Sequence, residues 1–217
     1  MIRSGEIMTR KVIGIAGFIG CGKNTVADIL VKDYDFTRIS YADRLKDTVS
    51  TMFGWSRDMI EGNTTESRTW RETPDPWWSE EFGYEFTPRM AMQRIGTDCM
   101  RNGLDDDIWV KFVKKTLDDN PTTDYVVPDI RFYNERDLVR FMGSGQVWRV
   151  KRGPDPDWTT KAISDNRYET SWMSEEHPDV HESEWRWLDY DSEFDRIITN
   201  DADIQNLKDQ VKRILNQ

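Results

Sequence analysis

Nine consecutive residues carry the strongest chemical signal in the chain: Gly17-Phe18-Ile19-Gly20-Cys21-Gly22-Lys23-Asn24-Thr25. Gly17, Gly20 and Gly22 let backbone amides converge without Cβ clashes. The apolar, β-branched run Lys11–Ala16 before the glycines reads as a buried strand. Behind them, Val26, Ile29, Leu30 and Tyr34 recur at helical spacing. A glycine turn between strand and helix gathers the amides of Cys21, Asn24 and Thr25 at the positive end of the helix, which suits phosphate oxygens. Lys23 adds a mobile positive charge with reach to the outer phosphates of a nucleoside triphosphate such as ATP. A glycine turn with a chance lysine is the plain alternative.

One position departs from the usual form of such a loop. The hydroxyl residue that normally follows the lysine is Asn24 here, and Thr25 comes one place later. Asparagine offers a carbonyl oxygen but no hydroxyl. Mg²⁺ is then expected to rely on water, nucleotide phosphates, Thr25 and a distant carboxylate. Asp129, at the tip of the apolar stretch Asp124–Asp129, is the candidate. A helix cap or turn is the other role open to it.

The elements that must position these groups alternate along the chain. Residues 36–40 read as a second short strand and 43–53 as a helix. Pro88 suits a first helical position, with Met92, Ile95 and Cys99 following at helical spacing. Residues 106–118 place Trp109, Phe112, Val113 and Leu117 on one face. Residues 124–129 form a strand in which Pro128 marks the end or a bulge. A helix over 133–142, strands over 146–150 and 195–199, and a closing amphipathic helix marked by Ile204, Leu207, Val211 and Leu215 complete the pattern. The expected class is α/β with a mainly parallel sheet.

Composition bounds the rest. The 217 residues suffice for one domain with appended insertions, and 12% aromatic content argues against disorder. The net charge of −10 disfavours a phosphate-tracking nucleic-acid binder. No apolar run reaches the roughly 20 residues that span a bilayer, and the first residues lack a secretory signal. Two cysteines, Cys21 and Cys99, make no disulfide framework and no metal-ligand spacing, so a cytoplasmic setting is expected. Residues 153–194 hold twelve acids against three bases, nearly all of the excess charge. Eight of the ten tryptophans fall in residues 54–87 and 153–194, which lack clean periodicity and read as two insertions. Neither an Asp-x-x-Gly switch nor an Asn-Lys-x-Asp guanine reader is present. A small-molecule kinase therefore fits better than a regulatory GTPase or a motor.

The remaining motifs resemble the bacteriophage-type deoxynucleoside monophosphate kinases. The loop GFIGCGKNT is similar to that family's Gly-Lys-Asp-Thr version. Arg89-Met-Ala-Met-Gln93-Arg94-Ile-Gly96-Thr97-Asp98, then Asp107-Ile-Trp109-Val, resembles its Leu-Gln-x-x-Gly-Thr-Asp stretch. Val127-Pro-Asp129-Ile-Arg131 resembles its strand-end Asp-x-Arg signature. Ala42-Asp43-Arg44-Leu45-Lys46, Val150-Lys-Arg152, His181-Glu-Ser183-Glu184 and Ile198-Thr-Asn200-Asp201 follow the family's order. Together these cover about half the chain, while residues 54–87 and most of 153–180 match nothing in it.

The resemblance implies a three-layer kinase core over about 9–53, 88–152 and 195–217. An acceptor-side insertion would span about 54–87 and a lid about 153–194. It implies ATP with Mg²⁺ as donor, nucleotides as small-molecule substrates, a possible homodimer, and host-cell cytoplasm if the gene is a phage's. Lys23 and the loop hold the donor. Arg131 is the first choice to clamp the acceptor phosphate bidentately, with an ion pair to Glu135 as the bland alternative. Arg101 and Lys46 are further acceptor-side candidates, each with a solvated helix charge as alternative. Arg152 and Arg167 would close over the transferring phosphate. His181 and Glu184 would contact substrate or fix the lid, whose other carboxylates should point outward. Asn200 resembles a position near adenine, or caps the last helix. Aromatic residues of 54–87 stack on the acceptor base or anchor the insertion. A kinase for another small phosphorylated acceptor and a non-catalytic ATP-binding interaction protein are the competing functions.

Overall fold

The computed structural model describes residues 10–142, 144–188 and 194–216. In chain order these form β1 (Lys11–Ala16), α1 (Lys23–Tyr34), β2 (Thr37–Arg38), α2 (Asp43–Phe53), α3 (Arg57–Glu61), α4 (Thr65–Glu72), α5 (Pro76–Phe82) and α6 (Pro88–Gln93). A π-helical stretch (Arg94–Arg101), α7 (Ile108–Asp119), β3 (Tyr125–Val127), α8 (Tyr133–Phe141) and β4 (Ser144–Lys151) follow. The chain continues with α9 (Thr159–Tyr168), α10 (Trp172–Glu176), a 3₁₀ turn (Glu182–Glu184), β5 (Arg196–Thr199) and α11 (Ile204–Leu215). The described residues form two compact units: 10–40 with 114–142, 144–188 and 194–216, and 41–113.

The larger unit is an α/β sandwich on a five-stranded, all-parallel sheet of order β2-β3-β1-β4-β5. Central β1 is buried at every position after Lys11, as a strand covered on both faces must be. Its side chains alternate between two helical layers. Ile13 and Ile15 join Val26, Ile29 and Leu30 of α1 and Leu207 and Val211 of α11. On the opposite face lies Gly14, where a Cβ would collide with Ile130 and approach Val139 of α8.

The smaller unit encloses its own core of Val49, Trp55, Ile60, Phe86 and Ala91, with Phe53, Trp70 and Trp78 packed on it. Residues 54–87 fold as three helices of one to two turns, too short to show a period. Each starts at a side-chain cap: Ser56, Thr64 (in a capping box with Ser67) and Asp75, the last followed by Pro76 at the first helical position.

Two expectations about faces need correction. Cys99 is exposed, unlike Met92 and Ile95, which pack on the core. The π winding of Arg94–Arg101 turns less per residue than an α-helix, so spacings of three and four no longer keep to one face. Phe112 is 41% exposed while Trp109, Val113 and Leu117 are buried, because the buried stripe of α7 runs at intervals of four and Phe112 falls at its edge.

Candidate functional site

The C-terminal ends of the five parallel strands lead into Gly17, Ile39–Ser40, Pro128–Asp129, Arg152 and Asn200. That edge is where ligands bind in open parallel sheets. Asp129, Arg131, Arg152 and Asn200 thus gather at the same end of the sheet as Lys23.

The loop after β1 takes its shape from its glycines. Gly17, Gly20 and Gly22 have φ of +149°, +76° and +106°, where L side chains are strained. A Cβ on Gly17 would lie 2.4 Å from the Val150 carbonyl, and one on Gly22 would lie 2.3 Å from Asn200 Nδ2. No side chain caps α1, and its first turn holds no carboxylate, so no side chain of the helix itself competes with an anion for its N-terminal amides. Lys23 Nζ donates to the carbonyls of Gly17 (2.7 Å) and Phe18 (3.0 Å), which places the ammonium across the mouth of the loop. Burial pushes the Lys23 pKa below its ordinary value, and the nearby Arg131 charge acts in the same direction while Glu184 and Asp129 oppose it. Burial likewise pushes the Cys21 thiol up, keeping it neutral. Asn24 is exposed and its backbone carbonyl accepts from Arg38 (3.1 Å), while Thr25 is half-buried.

Asp129 lies two residues past β3 and accepts a hydrogen bond from the Ser40 hydroxyl, which follows the neighbouring strand β2. The sequence reading missed Ser40, a lone serine whose only signal is its place after a short strand. Thr25, Ser40 and Asp129 supply hard oxygen donors of the type Mg²⁺ takes. Among the described residues no group of three His, Cys, Asp or Glu side chains could hold a metal, so such an ion would depend on nucleotide phosphates and water.

Arg131 donates to Glu184 Oε1 at 2.7 Å and to the Ser183 carbonyl at 3.2 Å. Burial works against its charge, yet the Glu184 carboxylate, with Asp129 and Glu135, holds its pKa above the ordinary arginine value. The Glu135 carboxylate accepts from the backbone amides of Arg131 (2.7 Å) and Phe132 (3.2 Å) and so orients the turn that carries the guanidinium. Lys23, Asp129, Arg131 and Glu184 thus form one electrostatic cluster.

The other candidates fall in different places. Asn200 Nδ2 donates to the Cys21 carbonyl at 2.8 Å and braces the loop, whereas Asp203 caps α11. Arg152 is exposed beyond β4, and Arg167 lies over the Tyr168 ring. His181 Nδ1 accepts from the Ser183 amide at 3.2 Å and caps the 3₁₀ turn that carries Glu184. Lys46 and Arg101 belong to the 41–113 unit. There Lys46 pairs with Glu61 (2.7 Å), and Arg101, 4% exposed rather than solvated, donates to the Asp106 carbonyl (2.8 Å). Trp55, Trp70 and Trp78 anchor the same unit, while Trp77 is exposed.

Within 153–188, Asp157, Glu169, Glu175, Glu176 and Asp179 point outward as expected. Three carboxylates turn inward, each onto a partner: Glu184 on Arg131, Asp155 on Arg149 (2.9 Å) and Lys151 (3.0 Å), and Asp165 on the amides of Trp172 and Met173. Asp189, Asp191 and Glu193 lie outside the described residues. Arg149 also escaped the sequence reading. Its guanidinium lies over the rings of Phe18, Trp187 and Phe194 at 5.7, 5.4 and 5.7 Å. The available signal was a charge set between two apolar residues in a strand covered on both faces.

An α/β parallel sheet with a glycine loop, an invading lysine and an Asp-x-Arg strand end defines a nucleotide-binding phosphotransferase core. A family profile for deoxynucleotide monophosphate kinases matches residues 63–211. The chain is 34% identical over 152 residues to a protein of Acanthamoeba polyphaga mimivirus provisionally named deoxynucleotide monophosphate kinase, a match covering 65% of this chain and 74% of that one. The chain belongs to the deoxynucleotide monophosphate kinase family. Solved structures similar to it include dephospho-CoA kinase from Campylobacter jejuni (14% identity, 95% and 96% of the two chains, TM-score 0.43). Another is the APS kinase of Mycobacterium tuberculosis (14% identity, 96% and 99%, TM-score 0.42). No helix of the described residues is long and apolar enough to cross a membrane.

Proposed function

We propose that this chain transfers the γ-phosphoryl group of ATP to the 5′-phosphate of a deoxynucleoside monophosphate, giving the diphosphate and ADP for DNA precursor supply. The observation that carries the reading is the pairing of two cations at one sheet edge. Lys23 closes the phosphate loop, and Arg131, just past the adjacent strand, is held on a displaceable carboxylate.

The acceptor phosphate has a second pKa of about 6 and is already an anionic nucleophile near neutrality, so no general base is required. The difficulty is to bring several negative groups together in line. The loop amides and the N-terminus of α1 hold the donor's outer phosphates. Lys23 leaves the Gly17 and Phe18 carbonyls for the β- and γ-phosphates, where it offsets charge that develops on transfer. Arg131 exchanges Glu184 for the acceptor phosphate and presents two parallel N–H groups to it. Asn200 keeps the loop backbone in its anion-binding shape. Thr25 and Asp129, oriented by Ser40, would hold Mg²⁺, which would supply positive charge to offset that of the phosphates. Arg152 and Arg167 complete the cationic surround in this reading. In this reading residues 54–87 are the acceptor-side insertion, Lys46 and Arg101 are acceptor candidates within their own unit, and the described part of 153–194 is the lid.

The same reading places the protein in the cytoplasm, as a homodimer by family likeness. The free thiols of Cys21 and Cys99 suit a reducing compartment. The test is ADP release measured across the four common dNMPs, the ribonucleotides and a set of sugar phosphates. Turnover on at least one dNMP supports the reading. Turnover confined to another acceptor class, or ATP binding with no turnover on any acceptor, replaces it.

A further inference from the structure

The donor loop and the proposed acceptor clamp are joined by an unbroken chain of contacts, two of them through backbone carbonyls. Phe18, inside the loop, meets Trp187 edge-on at 5.0 Å and Trp158 edge-on at 5.4 Å. Trp187 Nε1 donates to the Glu184 carbonyl at 2.8 Å, and the Glu184 carboxylate holds Arg131 at 2.7 Å. Arg149 lies over Phe18 and Trp187 together and is fixed from behind by Asp155. Phe18 and Trp187 therefore behave as one packed block. At the loop end, the Phe18 carbonyl is one of the two acceptors for Lys23 Nζ, so a change in what Lys23 binds acts on the peptide that carries the Phe18 ring.

Resting on the function proposed above, we infer that Phe18 and Trp187 are positioning residues that couple donor binding to the freeing of Arg131. An anion in the loop draws Lys23 off the Phe18 carbonyl, and the Phe18 ring shifts against Trp187. Through its N–H bond to the Glu184 backbone carbonyl, Trp187 shifts the residue whose carboxylate holds Arg131, leaving Arg131 ready for the acceptor phosphate. Glu184 thus serves as a built-in stand-in anion that keeps Arg131 oriented until the donor is in place. The two sites then strengthen each other's ligands equally, as linkage requires.

The experiment uses the full chain labelled with 5-fluorotryptophan, in which the ¹⁹F resonance removed by Trp187→Phe belongs to Trp187. Calorimetry measures the affinity for each of dAMP, dCMP, dGMP and dTMP with and without Mg²⁺ and the non-hydrolysable analogue AMPPNP. The expected result is a shift of the Trp187 resonance on adding AMPPNP and about five- to tenfold tighter dNMP binding. Phe18→Leu, which keeps apolar volume without the ring edge, reduces that enhancement below twofold, and Phe18→Tyr retains it. Trp187→Phe, which removes the N–H bond to Glu184, also reduces it and carries the test if Phe18→Leu does not fold. Binding of AMPPNP with an unmoved Trp187 resonance, or enhancement that survives both Phe18→Leu and Trp187→Phe, overturns the coupling and leaves the kinase reading standing. Absence of AMPPNP binding to folded protein overturns both.

Discussion

The molecule holds two tryptophan clusters that do different work. In the 41–113 unit, Trp55 stacks on Phe53 at 4.5 Å, meets Trp70 edge-on and donates its Nε1 to Asp75 at 2.8 Å. Every one of those partners belongs to the same unit, the two rings packed on its core and Asp75 capping α5. In the 153–188 segment, Trp158 and Trp187 pack on Phe18 of the glycine loop, and Trp187 reaches the backbone carbonyl of Glu184, whose carboxylate holds Arg131. Similar composition yields a scaffold in one region and a connection between charged groups in the other. Neighbours decide the role, and residue type alone does not.

Substitutions break this comparison at different strengths. Lys23→Ala should lower turnover by about a thousandfold or more, roughly 4 kcal/mol of transition-state stabilisation, with an unchanged circular dichroism spectrum. Trp55→Ala should destabilise the 41–113 unit by about 3–4 kcal/mol in chemical denaturation, because it opens a cavity and leaves Asp75 without its indole donor. Arg131→Ala should raise the acceptor KM by about a hundredfold with a small change for ATP, and Arg131→Lys should restore little, since an ammonium cannot bind bidentately. A silent Arg131→Ala in steady-state kinetics would remove it from the site. Asp165→Asn should loosen the α9–α10 pair by about 1–2 kcal/mol, read as faster amide exchange at Trp172 and Met173, with the Trp55 cluster unaffected.

The smallest effect is one of pH. The Lys23 pKa is lowered from its ordinary 10.5 in the folded chain. Between the lowered value and 10.5 the unfolded chain binds more protons at this site, so its contribution to stability rises with pH. The unfolding free energy of wild type relative to Lys23→Met should therefore climb across that window, as measured by urea titrations at stepped pH. A flat difference would contradict the assignment.

The shape of the glycine loop was legible because its physics is local. Nine contiguous residues set the turn, the helix start and the cation, and the structure places them as the spacing implies. The strand-helix alternation was legible for the same reason, down to the bounds of β1 and α2. The Arg131–Glu184 pair spans 53 residues, and no local rule predicts it. Glu135, four residues from Arg131, was the pairing that helix spacing suggested, yet its carboxylate orients backbone amides. Ser40 and Arg149 stayed hidden because each matters through residues far away in the chain, Asp129 for Ser40 and the rings of Phe18 and Trp187 for Arg149. The exposure of Cys99 followed from π winding, which the α-helical period cannot anticipate.

The central claim is that the loop at residues 17–25 delivers a phosphoryl group to a second phosphate beside it. The most direct measurement is ³¹P NMR of the protein with Mg²⁺, ATP and each dNMP in turn. A growing β-phosphate signal of the deoxynucleoside diphosphate, matched by loss of the ATP γ-signal and absent in Lys23→Ala, is the predicted result. Consumption of ATP to inorganic phosphate alone, or no consumption by folded protein with any dNMP, would contradict it.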